Sequence, residues 1–161
     1  TCPSNTYIYL TNCVKYCPTG YYKDNINQKC VVPNNCPSAS GFADDLSLSC
    51  VSKCPGNFAD SNLKRCVNIC SGSLYGDVVT GTCRSNCSTG YVINTATQSC
   101  VSDCQLGLFK NPSNNSCSAT CLDPYFADST TNTCVLKCSS DPLTFASTSS
   151  GRVCNPNCLS T

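Results

Sequence analysis

Apolar positions along the chain come in short paired runs separated by polar stretches. An aromatic stands four to seven positions after one cysteine (Tyr21, Phe42, Phe58, Tyr75, Tyr91, Phe109, Tyr125, Phe145). Asp or Asn follows, then a polar stretch, then a second cysteine commonly followed by valine. Compare Cys17-Pro-Thr-Gly-Tyr-Tyr-Lys-Asp24, Cys54-Pro-Gly-Asn-Phe-Ala-Asp60 and Cys121-Leu-Asp-Pro-Tyr-Phe-Ala-Asp128. The aromatic segment and the Cys-Val segment read as two short strands. Polar stretches such as Asp60-Ser61-Asn62 and Asn111-Pro-Ser-Asn-Asn115 read as the turns between them. Each unit is thus predicted to be a small hairpin, marginal on its own, that needs a bridge and a neighbour over its aromatic face.

The cysteines set the period. From Cys50 onward the short gap always holds three residues, the long gap holds about twelve, and the sum is roughly 17. Nine long loops result: 2–13, 17–30, 36–50, 54–66, 70–83, 87–100, 104–117, 121–134 and 138–154. The rhythm breaks at the five-residue gap from Cys30 to Cys36 and in the stretched Ser/Thr-rich loop from Cys138 to Cys154, where bends or local contacts are expected. The fold class expected is small and disulfide-rich, mostly β hairpins and loops with little or no helix. The repeats are expected to stack into an elongated rod on the order of 100 Å long.

Composition narrows the setting. Nineteen of 161 residues are cysteine, which points to an oxidising secretory route and an extracellular or cell-surface location. A net charge of +1 with 12% charged residues offers no field for nucleic acid. No run of apolar residues is long enough to span a membrane, so no membrane contact is expected within the chain. Because both ends fall inside the cysteine pattern, the chain reads as a section of a longer secreted polypeptide.

Pairing arithmetic favours closing each long loop with its own two cysteines: Cys2/Cys13, Cys17/Cys30, Cys36/Cys50, Cys54/Cys66, Cys70/Cys83, Cys87/Cys100, Cys104/Cys117, Cys121/Cys134 and Cys138/Cys154. Cys158 is then left unpaired, with its partner expected beyond Thr161. Two rivals stay open: pairing across the short gaps, and an interlocked scheme of alternate cysteines. The run Cys50-Val-Ser-Lys-Cys54-Pro-Gly-Asn-Phe-Ala-Asp60, echoed at Cys134-Val-Leu-Lys-Cys138, resembles the furin-like cysteine-rich repeats of growth-factor receptor ectodomains. It is also similar to the tandem form of that repeat on protist, especially ciliate, surfaces. The resemblance implies single-bridge modules that close the long loop and stack into a rod, a scaffold without an activity.

Candidate chemistry is sparse. Without histidine, nucleophilic catalysis lacks its usual base, and no carboxylate pair recurs, so no enzyme and no cofactor are expected. A continuous ladder of cysteine pairs suits disulfides better than zinc, and one Asp or Asn per repeat suits turns better than calcium. Tyr7, Tyr9, Tyr16, Tyr22 and Phe126 exceed one aromatic per loop and are candidates for outward lateral contacts. Two N-glycosylation sequons occur, Asn86-Cys87-Ser88 and Asn114-Asn115-Ser116, the second in a predicted turn. The function expected is a repeat section of an extracellular structural glycoprotein, a surface coat or filament that self-associates or meets other extracellular proteins and carries covalent glycans. The alternative is the ligand-binding ectodomain of a receptor or adhesin.

Overall fold

Every cysteine loop folds into a hairpin of two three-residue strands. In this computed structural model, residues 2–138, 145–147 and 152–155 are described. Hairpin one joins β1 (Tyr7–Tyr9) to β2 (Asn12–Val14), hairpin two β3 (Tyr22–Asp24) to β4 (Lys29–Val31), and hairpin three β5 (Phe42–Asp44) to β6 (Ser49–Val51). Hairpin four joins β7 (Phe58–Asp60) to β8 (Arg65–Val67), and hairpin five β9 (Tyr75–Asp77) to β10 (Thr82–Arg84). Hairpin six joins β11 (Val92–Asn94) to β12 (Ser99–Val101), and hairpin seven β13 (Phe109–Asn111) to β14 (Ser116–Ser118). Hairpin eight joins β15 (Phe126–Asp128) to β16 (Thr133–Val135), and hairpin nine β17 (Phe145–Ser147) to β18 (Val153–Asn155). Helix among the described residues is confined to two single 3-10 turns, Pro33–Asn35 and Ser38–Ser40. The first occupies the five-residue gap between Cys30 and Cys36, where proline cannot donate to a strand ladder.

The nine bridges are Cys2–Cys13, Cys17–Cys30, Cys36–Cys50, Cys54–Cys66, Cys70–Cys83, Cys87–Cys100, Cys104–Cys117, Cys121–Cys134 and Cys138–Cys154. Each therefore closes its own long loop. The Cα–Cα separations of 5.4–5.6 Å sit at the centre of the ordinary disulfide range. Each closing cysteine is the middle residue of its second strand and lies opposite the middle residue of the first, as in Ala43↔Cys50 and Ala59↔Cys66. Cys158 lies outside the described residues.

The chain forms two units, Thr1–Asn86 with hairpins one to five and Cys87–Thr161 with hairpins six to nine. Within each, successive hairpins are zipped together by a parallel pairing. In the first unit β1 pairs with β4, β3 with β6, β5 with β8 and β7 with β10. In the second, β11 pairs with β14, β13 with β16 and β15 with β18. Each hairpin is antiparallel within itself and parallel to its neighbour, so alternate hairpins turn at opposite edges of the ribbon.

One backbone device makes this possible. From hairpin two to hairpin eight, the residue two before the closing cysteine has positive φ: Gln28, Leu48, Lys64, Gly81, Gln98, Asn115 and Asn132. Arg152 takes the same conformation in hairpin nine. Rotation into the left-handed region swings the carbonyl out of its own hairpin and toward the preceding one. In both units that carbonyl accepts the N–H of the middle residue of the preceding first strand: Lys23 to Leu48 (2.9 Å), Ala43 to Lys64 (2.9 Å), Ile93 to Asn115 (2.8 Å) and Lys110 to Asn132 (2.8 Å). Only one of these eight positions is glycine, so the other seven hold an L-residue where it costs about 1 kcal/mol.

The core is thin and repetitive. Where the middle residue of a first strand is alanine, the aromatic that opens the preceding hairpin's first strand packs against it and its bridge. Tyr22 clusters with Ala43 and Cys50, Phe42 with Ala59 and the Cys54–Cys66 bridge, and Phe109 with Ala127 and the Cys121–Cys134 bridge. At hairpin five the middle residue is Gly76, and a Cβ there would lie 2.4–2.6 Å from the Phe58 ring. Small partners under large rings are what close packing of such a narrow layer requires.

Candidate functional site

From hairpin two to hairpin eight, the last residue of the first strand carries the recurring polar chemistry. Asp24, Asp44, Asp60, Asp77, Asn94, Asn111 and Asp128 are all buried. Each turns its side-chain oxygen onto backbone N–H groups of the following turn: Asp24 accepts Ile26 and Asn27 (both 3.0 Å), and Asp128 accepts Thr130 (2.9 Å). These are Asx turns, so the Asp or Asn of each repeat is a turn former. Asp60 adds a third bond, accepting Ser71 N–H of the next connection at 2.8 Å. Burial acts to raise the Asp60 pKa, but the bonds from Ser71, Leu63 and Asn62 outweigh it and hold the carboxyl below the usual carboxylate value. Asn94 cannot copy that third bond; its Oδ1 accepts Ala96 (3.0 Å) while its buried Nδ2 has no partner.

One polar cluster departs from the repeat. Arg65 in β8 donates from one nitrogen to the Tyr22 hydroxyl and to Asp45 Oδ1, both at 2.6 Å, and the Tyr22 hydroxyl is itself bonded to Asp45. Hairpins two, three and four are thereby tied by a single guanidinium. Burial and the bond to Asp45 raise the Tyr22 phenol above its ordinary value, with Arg65 acting in the opposite sense. The Tyr22 bond, assisted by Arg65, draws the Asp45 carboxyl down. A recess of about 430 Å³ opens beside the cluster, walled by Pro18, Tyr21, Tyr22 and Leu48 with Asp45 and Arg65. Among the described residues no group of three or more metal-ligating side chains is found.

The five candidate contact aromatics separate. Tyr16 is 68% exposed, with the Lys15 and Lys23 ammonium groups each 5.6 Å from its ring. Tyr7 is half-buried and donates to Asn25 Oδ1 (2.7 Å); Tyr9 is half-buried and meets Tyr21 edge to face at 4.9 Å. Tyr22 is only 3% exposed and is no outward contact, which corrects the expectation for it. It holds the strand position that Phe42 and Phe58 hold elsewhere. Phe126 holds the same position in hairpin eight, half-buried with Arg152 stacked 4.6 Å over its ring, so it too is a packing residue. Counting forward from the opening cysteine misplaces both, because the turn before the strand varies in length. Counting back eight from the closing cysteine finds the first strand residue throughout hairpins two to eight: Tyr22, Phe42, Phe58, Tyr75, Val92, Phe109 and Phe126. Of the sequon residues, Asn86 and Asn114 are both exposed, Asn114 in the tip of hairpin seven.

No helix among the described residues is long and apolar enough to cross a membrane. No protein-family model matches the chain, and no solved structure matches it. The chain is similar to proprotein convertase subtilisin/kexin type 5 of Rattus norvegicus, 36% identical over 93 residues. That stretch is 55% of this chain and 5% of the convertase, so the match spans a small fraction of the relative's length.

Proposed function

We propose that the chain is a structural repeat section of an extracellular assembly, a surface coat or filament element whose work lies in its extension and lateral contacts. The observation that supports this most directly is the parallel zipper. Within each unit every hairpin joins the next by the same carbonyl, so repeats add to a continuous ribbon without any new interaction. A carbonyl-linked, bridge-pinned array suits a rod, and the recurring buried polar residues are consumed by turns. Catalysis has no place in this reading. A convertase activity does not carry over from a relative of which 5% is matched, and the chain has no histidine. Small-angle scattering and sedimentation velocity on the purified, oxidised chain test the proposal: an extended particle that associates as concentration rises is expected, and a compact monomer at all concentrations contradicts it.

The second reading is a ligand-binding ectodomain, favoured by the Tyr22–Asp45–Arg65 cluster and its recess. It requires that binding to any extracellular partner be localised there and be lost on Arg65→Ala with the bridges intact.

A further inference from the structure

Two sequons are present, but the geometry around them differs. Asn114 is exposed in the four-residue tip of hairpin seven. Its Oδ1 accepts both the backbone N–H of Ser116 (3.2 Å) and the Ser116 hydroxyl (2.7 Å), so the first and third residues of the sequon already face each other in a closed Asx turn. Its Nδ2 has no hydrogen bond among the described residues and stands free of the fold. The middle residue is held from the other side: Asn115 donates from Nδ2 to the Tyr91 carbonyl (2.8 Å), and its own carbonyl takes Ile93 N–H (2.8 Å). The turn is thus fixed by hairpin six while its acceptor amide faces solvent. At the other sequon, the middle residue Cys87 is bridged to Cys100, and the chain turns at once, with Tyr91 N–H bonded to the Ser88 carbonyl at 3.0 Å.

From this contrast we infer that Asn114 is an N-glycosylation site and that Asn86 is bare. The reaction joins Asn114 Nδ2 to C1 of the reducing-end sugar of a polyprenyl-diphosphate-linked oligosaccharide. The C1–oxygen bond to phosphate breaks, polyprenyl diphosphate leaves with that electron pair, and one Nδ2 proton passes to a base of the transferase. Two hydrogen bonds onto Oδ1 draw electron density to the oxygen and make the Nδ2 protons easier to lose. Because alternate hairpins turn at opposite edges, the glycan projects from the edge that carries the tip of hairpin seven. The tips of hairpins six and eight, on the opposite edge of that unit, stay clear for contacts.

The inference rests on the secretory-route part of the proposed function, and one sample separates the two. The chain is secreted from cells that carry the oligosaccharide-transfer machinery and is mapped as non-reduced peptides before and after enzymatic glycan release. A glycopeptide containing Asn114, lost in Asn114→Gln and Ser116→Ala but kept in Ser116→Thr and Asn86→Gln, is the expected result. Bridged cysteines with an unmodified Asn114 in the wild-type chain, or a glycan on Asn86 instead, overturn the inference while leaving the structural proposal standing. Free thiols overturn both. Wild-type mapping decides the question even if a variant fails to be secreted.

Discussion

Replacing Asp60 by asparagine converts hairpin four into the state that hairpin six already shows. Asp60 is fully buried; one oxygen serves the turn amides of Asn62 (2.9 Å) and Leu63 (3.2 Å), and the other accepts Ser71 N–H (2.8 Å). In Asp60→Asn the turn keeps its acceptor, but an amide donor faces the Ser71 donor and is left without a partner, as the buried Nδ2 of Asn94 already is. A buried donor left without a partner costs about 1–3 kcal/mol, and loss of a bond to a charged acceptor lies in the same range. The expected net loss is about 2–3 kcal/mol, felt at the junction of hairpins four and five. Repeat arrays do not unfold as one unit, so the measurement is amide hydrogen exchange of the oxidised chain. Ser71 should exchange roughly 30- to 150-fold faster in the variant, while the amides of Asn62 and Leu63 change little. The pH dependence has a definite sign. A carboxyl depressed by folding contributes stability that is complete above its unfolded value near 3.9 and fades as pH falls through the lower folded value. Ser71 protection should therefore hold at neutral pH and be lost in strong acid in the wild type, and be flat across that window in the variant. Equal Ser71 protection in the two proteins would refute the reasoning.

Other perturbations test the remaining devices. Gly76→Ala sets a Cβ into the Phe58 ring and should destabilise hairpins four and five by about 1–3 kcal/mol in denaturant melts of the oxidised chain; an unchanged melt would show that the ring moves aside freely. At the positive-φ position of hairpin four, Lys64→Val should cost at least about 1 kcal/mol more than Lys64→Gly, because a β-branched residue is the least tolerant of that region. Equal stabilities would mean the carbonyl does not depend on the left-handed turn. Arg65→Ala should raise the Tyr22 phenol further above its ordinary value, and Asp45→Ala should lower it, as read by tyrosine titration in NMR spectra. Opposite signs would break the assigned network.

Legibility differed from element to element. The hairpins were readable because each is built from adjacent residues: an aromatic, an Asx turn, a Cys-Val strand. The own-loop bridges were favoured by pairing arithmetic and became definite in the folded structure, where each opening cysteine meets the closing cysteine of its own hairpin. Tyr22 and Phe126 were misread because the variable turn after the opening cysteine shifts the count by one residue, and one residue moves a strand side chain to the other face. The fixed spacing back from the closing cysteine was available in the sequence as the better ruler. The left-handed positions left no uniform compositional mark: Gly81, Asn115 and Asn132 suit that region by type, but Gln28, Leu48, Lys64 and Gln98 do not. The Arg65 cluster joins residues up to 43 apart, a distance at which no local pattern speaks.

Local terms were therefore legible in the chain itself: the repeat length, the hairpin and the Asx turn depend on residues within one period, and pairing arithmetic favoured a bridge across each loop over the two rivals that the folded structure removes. Only the folded arrangement decided that neighbouring hairpins run parallel and turn at alternate edges, and that Gly76 lies under Phe58. It also decided that one arginine ties three hairpins together, because these outcomes turn on carbonyl direction and side-chain volume between repeats, which an order of residues does not display.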